Sequence, residues 1–144
     1  MTQLNGVKYT DFTFLTTTGK KVKLSDYIGN SKYVLLDFWA SWCGPCLLEQ
    51  PIIKEAYMKY KDKGLNVLGI SIDYNEDAWK NAITKIQSNW TQLYDLKAGD
   101  SGIKEAYKFY AIPYTVLLDQ SGKIVVTQLR GQLLINYLTA IMKD

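Results

Sequence analysis

The sequence predicts an α/β fold with a central mixed β-sheet flanked by helices, and three observations carry that expectation. Apolar runs of strand length at residues 33–39 and 66–73 are dense enough to be buried on both faces. Helical patterns alternate with them, one opening near Cys43 and one near Asn75. The alternation then ends in two strands, 114–118 and 123–129, joined by Asp119-Gln120-Ser121-Gly122, a hairpin turn signal. Parallel strands linked by helices and closed by an antiparallel pair make a mixed sheet with helices on both faces.

Each element has its own reason. Residues 12–15 and 21–24 flank Thr17-Thr18-Gly19-Lys20, which predicts an N-terminal β-hairpin. Ser25 can cap a short turn through Asp26-Tyr27-Ile28, closed by Gly29-Asn30. From 46 to 63, Leu48, Ile52, Ala56 and Tyr60 repeat every four residues, with Ile53 and Tyr57 beside them. Gly64 ends that helix, and Pro51 is expected to kink it. Asn75 caps a second helix whose first turn carries Glu76 and Asp77 and whose apolar face is Trp79, Ala82, Ile83 and Ile86. A short strand is expected at 91–94. Ser101 starts a helix carrying Ile103, Ala106, Tyr107 and Tyr110, and Leu133, Leu134, Tyr137, Leu138 and Ile141 form the last one. No repeat, low-complexity tract or linker interrupts the chain, so residues 1–144 are expected to be one domain.

Composition excludes several kinds of function. A chain of 144 residues with 47% apolar and 22% charged residues can bury a core without staples. A net charge of +3, with scattered lysines, does not suggest nucleic acid as a partner. Eleven Tyr and four Trp supply core and binding surface alike. The absence of histidine removes Cys-His and Ser-His-Asp nucleophilic sites. Two cysteines without histidine make a poor zinc set, and no metal is expected. No stretch of 18 apolar residues and no signal-like start is present, so the domain itself is expected not to span a membrane.

Both cysteines lie in Leu35-Leu36-Asp37-Phe38-Trp39-Ala40-Ser41-Trp42-Cys43-Gly44-Pro45-Cys46. A strand, a short loop and a helix starting near Cys43 place one thiol at a helix N-terminus, where free N–H groups and the dipole favour thiolate. Gly44 permits the tight turn, and Pro45 is tolerated because first-turn N–H groups have no intrahelical partner. Cys43 is expected at an exposed tip, attacking a substrate disulfide. Cys46, one turn further in, then attacks Cys43 and releases the reduced product. The bland alternative is a passive disulfide or two idle thiols.

Asp37 stands in a strand that should be buried. A bare carboxylate there is costly, and its pKa should rise. Near Cys46 it could accept that thiol's proton; the alternative is an edge or surface position. Glu49, three residues beyond Cys46, could also reach the thiols, although taken alone a solvated helix position accounts for it more simply.

The segment DFWASWCGPC resembles the thioredoxin active site, and the likeness extends over nearly the whole chain. Asp37 falls at that family's buried aspartate, Pro51 at its helix proline, and Ile112-Pro113 at its cis-proline dipeptide. Gly131-Gln132-Leu133 resembles a third groove loop. The resemblance thus assigns substrate binding to Trp42, Gly44, Pro45, Ile112, Pro113 and Gly131. The N-terminal hairpin extension (residues 1–30) and an insertion at about 75–98 resemble the TlpA/ResA-like thiol-disulfide oxidoreductases. Cys46-Leu47-Leu48-Glu49-Gln50-Pro51 matches their C-x-x-C-x-x-E-x-P pattern, which makes Glu49 a candidate active-site acid beside Asp37. Tyr114 departs from thioredoxin's usual threonine.

The resemblance implies a reductant of protein disulfides, because Gly-Pro between the cysteines matches reducing members. It implies no cofactor beyond the Cys43–Cys46 pair, protein disulfide substrates, an upstream thiol reductant and a monomer. It also implies the periplasmic side of a bacterial inner membrane, with a cytoplasmic placement as the alternative. A thiol peroxidase of the peroxiredoxin type and a non-catalytic binding module are the competing functions. The first would want a P-x-x-x-T-x-x-C setting, which the segment before Cys43 lacks.

Overall fold

The computed structural model describes residues 4–143. Its elements are β1 (Thr13–Thr16), β2 (Lys21–Lys23), β3 (Tyr33–Trp39), α1 (Gly44–Tyr60), β4 (Leu65–Ser71), α2 (Glu76–Ile86), β5 (Thr91–Asp95), α3 (Ile103–Ala106), β6 (Tyr114–Asp119), β7 (Ile124–Thr127) and α4 (Gly131–Ile141). All seven strands join one sheet in the order β2-β1-β5-β4-β3-β6-β7. β3 runs parallel to β4 and antiparallel to β6, and β5 runs parallel to β4. β1 pairs antiparallel with both β2 and β5, so the N-terminal hairpin extends the sheet through β5.

Side chains alternate along β3. Val34, Leu36 and Phe38 pack on one face with Phe14, Leu24, Ile103 and Tyr107. Leu35 packs on the other, under Ile53 and Ala56 of α1 and Leu134 and Leu138 of α4. Trp39 follows the same parity and meets Cys46, Trp79 and Ala82. Asp37, between Leu35 and Trp39, therefore points at α1. On the opposite face Phe38 sits against Tyr107, Phe109 and Tyr114, with ring centroids 5.6, 4.7 and 6.2 Å away. That aromatic cluster holds the segment before β6 near the C-terminal end of β3.

Several expectations about individual residues change. The apolar stripe expected on α1 packs only in part: Ala56 and Tyr60 are buried, but Leu48 at its head is 80% exposed. The buried side is Cys46, Gln50, Ile53, Ala56 and Tyr60, with a polar residue in the seam. Helix α1 continues through Pro51, which lies on the exposed side. α3 is a single turn; Lys108 turns the chain into the left-handed region, and Tyr110 leaves the helix fully exposed. α4 begins to pack at Leu134, leaving Leu133 in its first turn exposed. β7 ends at Thr127, where Gln128 adopts φ 67°. β4 ends at Ser71, before Ile72 and Asp73.

One glycine is dictated by close approach. Gly69 on β4 lies under the Gln92 side chain of β5, where a Cβ would fall on the Gln92 amide. That amide accepts from Trp39 Nε1 at 3.1 Å and donates to Ser88 Oγ at 3.1 Å, so it is held from two sides. Gly69→Ala is expected to destabilise the protein by about 1–3 kcal/mol, read as a lower urea midpoint at unchanged slope.

Candidate active site

The site is built where β3 and β4 end. After Trp39 the chain turns through Ala40, Ser41 and Trp42, and Cys43 N–H returns to the Ala40 carbonyl at 3.2 Å. The turn is held from below by Asp73, a fully buried carboxylate just beyond β4. Ser41 N–H donates to its Oδ1 and Oδ2 at 2.9 and 3.1 Å, the Ser41 hydroxyl donates to Oδ1, and Ser71 Oγ donates to Oδ2 at 2.6 Å. Tyr94 OH clamps the Asp73 carbonyl at 2.8 Å. These hydrogen bonds fix the loop that delivers Cys43.

Cys43 is the N-cap of α1, and its sulfur accepts the Cys46 N–H at 3.2 Å. Gly44 and Pro45 occupy the first two helical positions, so with proline lacking an N–H the third position supplies the cap bond. Cys43 and Cys46 are joined as a disulfide. The expectation of an exposed Cys43 is corrected: its residue exposure is 5%, against 0% for Cys46. The segment at Ile112 covers it, with the Ile112 carbonyl oxygen 3.6 Å from Cys43 Sγ. The Ile112–Pro113 peptide is cis. The order of accessibility still favours Cys43 for first attack, through a narrow opening.

Asp37 occupies the centre of the sheet and is 1% exposed, so an edge or surface position is ruled out. Gln50, one helical turn past Cys46, donates through Nε2 to Asp37 Oδ2 at 3.1 Å and to the Cys46 carbonyl at 3.1 Å. Asp37 Oδ1 and Gln50 Oε1 are buried without a hydrogen-bond partner. Burial raises the Asp37 pKa to about 7; the Gln50 donor works against this, and the nearby Glu49 charge adds to it.

Glu49 takes a different position. Its Oε2 accepts the Gly131 N–H at 3.0 Å, at the start of α4. Arg130, the α4 N-cap residue, makes no side-chain cap bond, so Glu49 caps that helix from across the groove. Gly131 has φ 60°, a backbone conformation open to glycine. The structure thus joins Glu49 to Gly131, and joins Asp37 through Gln50 to Cys46.

Around the opening lies an aromatic rim. Trp42 is 57% exposed and stacks on Tyr74, rings 6.3 Å apart. A cleft of about 270 Å³ runs between Trp42, Ile72, Lys104 and Tyr110 and is closed by Ile112. A second, of about 370 Å³, runs past Tyr110, Pro113 and Tyr114 to Gln128 and Arg130. Among the described residues, no group of three or more His, Cys, Asp or Glu is placed to hold a metal ion. No helix among them is long and apolar enough to cross a membrane.

Sequence reasoning missed Gln50, Asp73, Tyr74 and Tyr110. For Gln50 a signal existed: the i, i+4 relation to Cys46 puts both on one helix face. For Asp73 the signal was its place at the end of a strand parallel to β3, the edge of a sheet where sites form. Tyr74 and Tyr110 carry no local signature.

A family model described as AhpC/TSA matches residues 6–127. The thiol-disulfide oxidoreductase ResA of Bacillus thuringiensis subsp. konkukian is 34% identical over 127 residues, covering 88% of this chain and 70% of that protein. The thioredoxin domain of a thiol-disulfide oxidoreductase from Bacteroides vulgatus superposes with a TM-score of 0.90 at 34% identity, covering 99% of this chain and 100% of that one. A thiol:disulfide interchange protein from Bacteroides sp. gives 0.89 at 34% identity, covering 97% and 91%.

The position of Asp37 makes stability depend on pH. Its native pKa stands above the unfolded value of 3.8, so the native state holds a proton that the unfolded chain releases. The contribution is full below the unfolded pKa and is lost as pH rises through about 7. Asp37→Asn is therefore expected to stabilise the oxidised protein at pH 8 by on the order of 4 kcal/mol, read as a higher denaturant midpoint, with the difference vanishing towards pH 4.

Proposed function

Because the chain belongs to the AhpC/TSA family of thioredoxin-like proteins and is a thiol-disulfide oxidoreductase like its ResA-type relatives, we propose that it works as a reductant of protein disulfides. The observation that carries this reading is the asymmetry of the pair. One sulfur caps α1 beneath a narrow opening, and the other is sealed against the core.

The reaction follows from that geometry. Cys43 attacks one sulfur of a substrate disulfide; a mixed disulfide forms and the first substrate thiolate leaves. Cys46 gives its proton to Asp37 and attacks Cys43 Sγ. The second substrate thiolate leaves, and the Cys43–Cys46 disulfide remains. Two electrons have passed to the substrate, and an upstream dithiol reductant must return two. The pair itself is the redox group, with no bound cofactor or metal required. Among the described residues the Cys46 N–H is the one donor to Cys43 Sγ, and neither residue between the cysteines is cationic. With no cation between the cysteines to stabilise a Cys43 thiolate, the reducing direction is favoured, since strongly stabilised thiolates make strong oxidants.

Trp42, Gly44, Pro45, Ile112, Pro113 and Gly131 form the substrate groove in this reading, with Glu49 steadying its far wall through Gly131. The likeness to ResA supports action on the periplasmic side of a bacterial inner membrane, and in this reading the protein works there as a monomer. Its substrates there would be cysteine pairs of envelope proteins, apocytochrome c among them.

The AhpC/TSA match brings thiol peroxidase chemistry into view as a second reading. Against it, Leu36 and Ala40 stand where that chemistry wants proline and threonine ahead of Cys43.

Two measurements test the proposal. The intact protein should reduce insulin disulfides with dithiothreitol as electron source and leave hydrogen peroxide largely unconsumed. Cys46→Ala should lose turnover at least a hundredfold and accumulate mixed disulfides on Cys43 in cells, identifiable by mass spectrometry. Peroxide consumption without insulin reduction, and no trapped partner, would replace the reductase reading with the peroxidase one.

A further inference from the structure

We propose that Gln50 is the positioning residue of the proton transfer: pinned by the Cys46 carbonyl, its amide occupies Asp37 Oδ2 and leaves Oδ1 as the oxygen that takes the Cys46 proton. This rests on the reading of Asp37 as the proton acceptor.

The argument begins with the orientation of the amide. Gln50 Nε2 lies 3.1 Å from Asp37 Oδ2 and 3.1 Å from the Cys46 carbonyl oxygen. Each of its two hydrogens has an acceptor. Reversing the amide would set Oε1 against the Cys46 carbonyl, acceptor facing acceptor, so the Cys46 backbone fixes which end of Gln50 Asp37 meets. Oδ2 already accepts the Gln50 N–H, so Oδ1, buried and without a partner, is the oxygen with its lone pairs open to a proton. The same helix turn carries Cys46 and Gln50, so the side chain that orients Asp37 and the thiol that must ionise sit on one rigid element.

The surroundings isolate this device. Across the ladder Asp37 faces Gly69 on β4 and Thr115 on β6, neither of them ionisable. Glu49 on α1 is the charged neighbour that acts on Asp37, and its own carboxylate is engaged by Gly131 N–H. Gln50 is then the sole hydrogen-bond donor to Asp37 among the described residues. In the transfer the Cys46 S–H bond breaks and an Asp37 Oδ1–H bond forms. The thiolate electron pair attacks Cys43 Sγ, and the substrate thiolate that departs takes its proton from solvent.

Gln50→Met removes the donor while keeping length, and Gln50→Leu serves as a second variant should packing fail. Two readouts separate the proposal from the reading beneath it. The first is the carboxyl titration of Asp37 in the oxidised protein, followed by carbon NMR. The second is the rate of substrate-thiol release from a preformed Cys43 mixed disulfide, measured across pH. Loss of a donor to the charged form should move the Asp37 midpoint upward by about one pH unit, and the release profile with it, while the first attack by Cys43 stays within twofold. In an Asp37→Asn background, adding Gln50→Met should leave release unchanged. An Asp37 midpoint that stays put or falls, with Asp37→Asn still slowing release, overturns the role of Gln50 alone. Release from Asp37→Asn as fast as from the unaltered protein overturns Asp37 as acceptor, and the proposal with it.

Discussion

Strand β3 has no solvated side. β4 and β6 pair with its two edges, and aromatic and aliphatic layers cover its two faces. From that enclosure the rest of the site follows. A strand sealed on every side must end where the sheet ends, and there it hands the chain to the N-terminus of α1, whose free N–H groups face the loop carrying Cys43. The enclosure also makes the one carboxylate on β3 expensive to ionise, which is what keeps Asp37 near neutrality in its proton affinity. A proton acceptor for a thiol is useful in that range and of little use at the pKa of an exposed aspartate.

The three acids near the cysteines are distinguished by what they touch. Asp73 receives four hydrogen bonds from three donors on Ser41 and Ser71 and acts as a strut beneath the active-site turn. Glu49 receives a backbone N–H at the head of α4 and ties the groove wall to α1. Asp37 has one donor and one open oxygen. Carboxylates with satisfied lone pairs hold structure together; the one left partly unsatisfied in a dry place is the one suited to gaining a proton.

Much of this could be read before any coordinates. The dense strand at residues 33–39, the strand-to-helix junction at the cysteines and the closing hairpin follow from local apolar density, turn chemistry and spacing. Where reading failed, the cause was tertiary. The stripe on α1 buries Ala56 and Tyr60 but not Leu48, because near Cys46 the helix meets the sheet through Gln50, where Asp37 supplies a polar partner. Tyr110 fits a helical face in sequence, but the chain leaves the helix at Lys108 and turns that ring into the groove. Cys43 was expected at an exposed tip, and a segment nearly 70 residues away in the chain covers it.

The sequence by itself determined the chemistry on offer: two thiols at redox spacing, a helix start to activate one of them, an acid in an apolar strand, and no histidine to take over either role. Local pattern suffices for these because each depends on neighbours within one turn or one strand. Only the tertiary structure decided what each acid touches. Glu49 lies three residues from Cys46 in the chain and Asp37 nine, yet Asp37 is the one joined to the buried thiol's turn. The reason is that proton affinity and lone-pair occupancy are set by what surrounds a carboxylate in space, and those surroundings come from β4, β6 and α4 as much as from the segment that carries the acid.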